Sequence, residues 1–164
     1  MFRMTKMLVM DVDGTLTDGK IYIGSDGELF KAFDIKDGYA IYDLLPDRGI
    51  IPVIITGRVS EIVNKRCAEL GVTEIHQGCL NKVEKMKEIA RKIGLNINSE
   101  GIIEECAYIG DDILDISGMK ISGISGCPSD AVEDVKKIVD YVCVNRGGDG
   151  AVREFVEWII SNNK

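Results

Sequence analysis

The chain has 164 residues, 45% hydrophobic and 29% charged, which is enough for one domain with a buried core spanning residues 1–164 and leaves little room for a second. Its net charge of -7 argues against a nucleic-acid or anionic-membrane surface, although a local basic pocket can still hold a phosphate. No stretch has the apolar length of a membrane span and residues 1–6 are too short for a signal peptide, so a cytoplasmic protein is expected.

The first element is the apolar run Met7–Met10, which delivers Asp11 and Asp13 directly before Gly14. Strand alternation sends residues i and i+2 to one side, so both carboxylates converge beyond the strand's carboxyl end, where open α/β sheets hold ligands. Two carboxylates there need a cation; taken alone, the segment reads equally well as a polar Asp-Gly turn. Residues 14–20 approach a nucleotide-binding P-loop, but Ile21 stands where a Ser or Thr should hold magnesium, and that reading is rejected. Residues 20–23 and 28–33, either side of Gly24-Ser25-Asp26-Gly27, predict a β-hairpin too short to be a cap domain.

Helical spacing at 40–45 precedes the apolar strand Ile51–Ile55, which runs into Thr56-Gly57-Arg58. Thr56 either caps a helix or, with the backbone amides around Gly57, hydrogen-bonds a phosphoryl group. Helices are predicted at 61–70 and 83–93, with Lys82 at the start of the second. Lys82 is either a solvated lysine or the cation that balances charge in phosphoryl transfer. His76, the only histidine, has no Gly-x-Ser-x-Gly partner and reads as structural or as part of a pocket rim.

The apolar residues 107–109 lead into Gly110-Asp111-Asp112, with Asp115 one helical turn later. Strands at 121–124 and 141–144 and helices at 130–138 and 152–160 complete the chain, with Trp158 on the apolar side of the last helix. The glycine cluster at 147–150 reads as a mobile loop. Alternating strands and helices imply a parallel sheet buried on both faces, with every polar strand end on one edge. The five cysteines lack any Cys-x-x-Cys pair and read as reduced core residues.

Asp11-x-Asp13, Thr56, Lys82 and Gly110-Asp111-Asp112-x-x-Asp115 resemble the four motifs of the haloacid dehalogenase superfamily. The resemblance implies a Rossmann-like, doubly wound parallel α/β sheet and a magnesium-dependent phosphomonoester hydrolase. In it Asp11 is the nucleophile that forms an aspartyl phosphate, and Asp13 protonates the leaving alkoxide and then activates water. Magnesium ligands would be Asp11, the Asp13 carbonyl and Asp111. Of Asp112 and Asp115, one would orient metal-bound water or pair with Lys82, while Asp112 serves equally well as a helix cap.

Neither interval between these motifs has room for a cap domain, so a neighbouring subunit is expected to cover the opening. Gln77-Gly78-x-x-Asn81-Lys82, Phe33-x-x-x-Asp37-Gly38 and Gly147-Gly148-x-Gly150-Ala151-Val152-Arg153-Glu154 narrow the resemblance to the capless phosphatases of sugar-acid synthesis, nearest to the 3-deoxy-D-manno-octulosonate 8-phosphate phosphatases of lipopolysaccharide biosynthesis. That family implies a homotetramer, with Thr56, Gly57, Arg58, Arg66 and Lys82 binding substrate. Val132-Glu133 replaces the His-Pro of many such enzymes, which keeps nine-carbon 9-phosphates as the alternative substrate. The rival from another class is a non-catalytic assembly domain of the kind fused to sugar-acid cytidylyltransferases, disfavoured by the intact Asp11, Asp13, Lys82 and Asp111.

Overall fold

The computed structural model describes residues 4–163. Eight strands occur among them: β1 (Met7–Met10), β2 (Tyr22–Gly24), β3 (Gly27–Phe30), β4 (Ile51–Ile55), β5 (Glu74–His76), β6 (Ile103–Ile109), β7 (Ser122–Cys127) and β8 (Tyr141–Val142). Six form one sheet in the order β5-β4-β1-β6-β7-β8, every pairing parallel. This is the doubly wound order, and the strand sequence reverses direction between β1 and β6, where such sheets hold ligands.

The helical elements are α1 (Ile35–Tyr39), which passes through a π turn at Ala40–Leu44 into α2 (Leu45–Asp47), then α3 (Glu61–Glu69), α4 (Lys82–Lys92), a 3₁₀ turn at Ile113–Asp115, α5 (Ile116–Lys120), α6 (Glu133–Lys136) and α7 (Ala151–Asn162). They divide between the two faces of the sheet. Leu8, Met10, Ala107 and Ile109 pack with Ile41, Val63 and Phe155 on one face, and Met7, Val9, Cys106 and Tyr108 with Met86, Met119 and Val135 on the other. Strand alternation between two buried faces therefore explains why the strands read as unbroken apolar runs.

Where the elements differ from the sequence expectation, side chains have taken over backbone groups. The strand expected at 141–144 ends at Val142, because Glu154 accepts the Val144 amide at 2.8 Å and the Asn145 amide at 2.9 Å. The helix expected at 130–138 shrinks to Glu133–Lys136, since Asp130 accepts the Gly147 amide at 2.9 Å and the Val132 amide bonds the Asp111 carbonyl at 3.0 Å. The glycine cluster read as a mobile loop lies against the first strand's loop: a Cβ on Gly147 would lie 2.0 Å from the Gly14 carbonyl oxygen, so the two loops are packed backbone to backbone. The hairpin forms as expected, with β2 and β3 pairing antiparallel. All five cysteines are free, four of them buried; Cys79 instead reaches the cleft described below. His76 pairs with Glu74 at 2.9 Å on the outer strand. No helix among the described residues is long and apolar enough to cross a membrane.

Trp158 stacks on Tyr141 at 4.9 Å and on Phe155 at 5.9 Å, and Phe155 is fully buried over Gly126, where a Cβ would meet its ring at 2.5 Å. Phe155→Ala is expected to cost about 3–5 kcal/mol, lowering the thermal midpoint by roughly 10 °C. Thermal unfolding followed by circular dichroism checks this, and a shift of a degree or two would contradict the core assignment.

Candidate active site

Three adjacent strands end at one place. Register pairs Met10 with both Ile54 and Ile109, so Asp11 and Gly110-Asp111 directly after β1 and β6, and Thr56 after Ile55 at the end of β4, reach the same edge, on either side of the switch point. The α4 segment begins there too: Asn81 caps it by accepting the Glu84 amide at 3.2 Å, which brings Lys82 in at the first helical position. The result is a cleft of about 250 Å³ lined by Asp11, Asp13, Thr56, Gly57, Arg58, Cys79, Leu80, Lys82, Asp111, Asp112, Leu114 and Asp115.

At its floor the Lys82 ammonium donates to Asp11 Oδ1 at 3.0 Å and to Asp115 Oδ1 at 2.8 Å. Asp115 is almost fully buried and further accepts the Tyr108 hydroxyl at 2.6 Å and the amides of Asp111 and Asp112 at 3.0 and 3.1 Å. Four donors thus converge on one carboxylate, which makes it a fixed support for Lys82 and for the turn that carries Asp111. Gly110 is required here, because a Cβ would lie 2.3 Å from the Asp115 carboxyl carbon. Asp112 has the capping role anticipated for it, accepting the Ile113 amide at 2.7 Å.

Asp111 accepts the Thr15 hydroxyl at 3.1 Å, and Gly14, at φ +89°, lies so close that a Cβ would sit 2.0 Å from Asp111 Oδ2. Oxygens of Asp11, Asp111 and Asp115 lie within 4.8 Å of one another. Burial, then the neighbouring carboxylate of Asp115, pushes Asp11 up to about 6 despite the opposing Lys82. Burial, then Asp11 and Asp115, pushes Asp111 up to about 8. Burial alone would lower Lys82, but Asp11 and Asp115 together raise it. Three carboxylates against one ammonium leave excess negative charge in a poorly solvated place, and hard oxygen donors at this spacing fit a divalent cation. Asp115 is committed to its four donors, so Asp11 and Asp111 are the side chains free to hold such an ion.

Of the residues singled out in the sequence, Asp11, Asp13, Thr56, Gly57, Arg58, Lys82, Asp111, Asp112 and Asp115 are brought together. Arg66 is not among the residues lining this cleft; its guanidinium lies over the Phe33 ring at 5.8 Å and pairs with Glu69 at 3.1 Å. Sequence reading missed Thr15, Tyr108, Glu28 and Lys31. Tyr108 is hidden inside an apolar strand, and Lys31 looks like any hairpin lysine. Its ammonium nevertheless lies 2.6 Å from Asp13 Oδ1 and 2.8 Å from Glu28 Oε1, and Glu28 Oε2 accepts the Ser60 hydroxyl at 2.5 Å.

No family model matches the chain. It is 39% identical over 155 residues to the 3-deoxy-D-manno-octulosonate 8-phosphate phosphatase KdsC of Escherichia coli, covering 94% of this chain and 79% of that protein. Among solved structures it superimposes on the cobalt-bound deoxy-D-mannose-octulosonate 8-phosphate phosphatase of Haemophilus influenzae with a TM-score of 0.89 and 34% identity, covering 97% of this chain and 89% of that one. The Moraxella catarrhalis 3-deoxy-D-manno-octulosonate 8-phosphate phosphatase, in complex with a magnesium ion, a phosphate ion and 3-deoxy-D-manno-octulosonate, gives 0.87 and 38%, covering 96% of this chain and 86% of that one.

With no metal bound, Asp11 and Asp111 hold their protons to higher pH in the folded protein than in the unfolded chain, so the contribution of these two groups to stability falls as pH rises between about pH 4 and pH 8. In chelator, Asp111→Asn is therefore expected to gain in thermal midpoint relative to the parent on going from pH 5 to pH 8. Saturating divalent cation should reverse the order at pH 8, because only the parent binds it well. A pH-independent difference between the two proteins would contradict the charge assignment.

Proposed function

The chain belongs to the 3-deoxy-D-manno-octulosonate 8-phosphate phosphatase family of the haloacid dehalogenase superfamily, and we propose that it is a magnesium-dependent phosphomonoesterase acting on that eight-carbon sugar-acid phosphate. The observation that carries this reading is Lys82 bridging Asp11 and Asp115 on the floor of a cleft also lined by Asp13, Thr56 and Asp111. Asp11 attacks phosphorus in line and the ester P–O bond breaks, leaving an aspartyl phosphate on Asp11. Asp13 gives its carboxyl proton to the departing alkoxide. In the second half Asp13 takes a proton from the water that attacks phosphorus, and inorganic phosphate leaves.

Thr56 and the amides around Gly57 hold the phosphoryl oxygens, while Lys82 balances their charge. Asp11, the Asp13 carbonyl and Asp111 would hold magnesium, which neutralises the repulsion between carboxylate and phosphate. Asp115 orients Lys82, and Asp112 fixes the turn. Arg58, which lines the cleft and is half exposed, is assigned to the carboxylate of the sugar acid.

Leu80, Val59 and Leu114 at or near the cleft mouth are 84%, 74% and 68% exposed, and Ile23 and Leu29 on the hairpin 71% and 63%. Apolar surface at an open site supports coverage by another copy of the chain, and we assign a homotetramer. Sedimentation at low micromolar concentration is expected to give a tetramer; a clean monomer would refute the shared-cover reading. Five free cysteines support a reducing compartment, and we place the enzyme in the cytoplasm.

Phosphate release with magnesium, compared between octulosonate 8-phosphate and nine-carbon 9-phosphates, tests the substrate. The eight-carbon ester is expected to be strongly preferred, and preference for the nine-carbon esters would reassign the pathway. Asp11→Asn should remove at least about 10³-fold of the rate in a folded protein, since it deletes the nucleophile at constant volume. Activity on none of these esters would favour the assembly-domain reading.

A further inference from the structure

Lys31 stands on the hairpin, outside every motif of the chain, yet its side chain is 2% exposed and its ammonium sits between Asp13 Oδ1 at 2.6 Å and Glu28 Oε1 at 2.8 Å. A lysine withdrawn from water is costly unless its charge is met, and here one hydrogen bond, to Asp13, and one ion pair, with Glu28, meet it, so this placement is specified rather than incidental. The contact also continues past Glu28. Glu28 Oε2 accepts the Ser60 hydroxyl at 2.5 Å, the Ser60 amide donates to Gln77 Oε1 at 2.7 Å, and Gln77 Nε2 returns a bond to the Ser60 carbonyl at 3.1 Å. A line of polar contacts therefore runs from Asp13 through the hairpin to the start of α3 and the end of β5, both parts of the main fold.

Asp13 itself lies one residue beyond Val12 in a turn, with a part-exposed carboxylate that on its own would sample several rotamers. We propose that Lys31, held by Glu28, is the positioning residue for Asp13: it takes Oδ1, fixes the carboxyl plane and leaves Oδ2 to carry the proton to the leaving oxygen. The hairpin is then part of the acid/base apparatus as well as part of the cleft's surroundings. This rests on the proposed role of Asp13. In the step concerned, the ester P–O bond breaks as the Asp11–phosphorus bond forms, and the Oδ2 proton of Asp13 moves to the departing oxygen.

Such a role has a signature that a merely structural ion pair lacks. An alkoxide leaving group needs the proton, whereas a nitrophenolate leaves without it, so loss of positioning should depend on the leaving group. The experiment measures kcat and KM, with magnesium, for octulosonate 8-phosphate and for p-nitrophenyl phosphate, using the parent, Lys31→Met, Lys31→Arg, Glu28→Gln and Asp13→Asn. Lys31→Met is expected to lose about tenfold or more in kcat on the alkyl ester and less than about threefold on the aryl ester, with KM for both changed little. Lys31→Arg should restore most of the loss, and Glu28→Gln should show the same selectivity more weakly. Retained aryl-ester turnover demonstrates that each variant is folded. Equal losses on both esters for Lys31→Met, or none on either, would overturn the proposal even if Asp13→Asn shows the selective loss. If Asp13→Asn itself shows no selectivity, the acid/base role of Asp13 falls, and the proposal with it.

Discussion

The site depends on a buried ammonium held between two carboxylates. Lys82 lies between Asp11 and Asp115, and neither partner is dispensable: Asp115 is saturated by Tyr108 and by two amides of its own turn, so it holds Lys82 in place, and Lys82 in turn holds Asp11. Withdrawing these charges from water costs several kcal/mol per ion, which the pairing only partly offsets, because Asp111 adds a further negative charge. The imbalance is the functional feature. It leaves the site short of positive charge, a shortage that a divalent metal ion would meet, so that an anionic phosphoryl group could then approach Asp11.

The fold explains why this arrangement is affordable to build. Asp11 and Asp111 follow neighbouring parallel strands at the point where the strand order reverses, so their convergence follows from register and needs no long excursion of the backbone. Close approach is then secured by glycine: Gly14 admits the Asp111 carboxylate and Gly110 admits that of Asp115. Glycine at 147, packed on the Gly14 carbonyl, extends the same compactness to the loop before α7. The hairpin's polar inner edge reaches Asp13, while its apolar residues Ile23 and Leu29 are exposed.

Much of this was legible in the sequence, for definite reasons. Strands buried on both faces give continuous apolar runs, and the polar residues at their ends, Asp11, Asp13, Thr56 and Asp111, stand where ligands bind whatever the loops do. The capping role of Asp112 was equally readable, since it is local. What sequence did not disclose was contact between distant side chains. Tyr108 reads as one more apolar residue of β6, and its hydroxyl acquires meaning only when Asp115 folds back over it. Lys31 and Glu28 read as hairpin surface because nothing local shows that the hairpin turns toward Asp13. The weak strand β5, with Glu74 and His76 among its three residues, and α5, interrupted by Gly118, lack enough periodicity to be seen. The shortened helix at 133–136 shows the opposite error: its periodicity is real, but Asp130 is already committed to the Gly147 amide.

The most direct test of the account is to trap the covalent intermediate. Enzyme turning over octulosonate 8-phosphate is quenched and reduced with borohydride, with and without magnesium, and its peptides are mapped by mass spectrometry. Reduction of an aspartyl phosphate leaves homoserine, and the account predicts homoserine at position 11, dependent on magnesium. Modification at another residue, or none during active turnover, would contradict it.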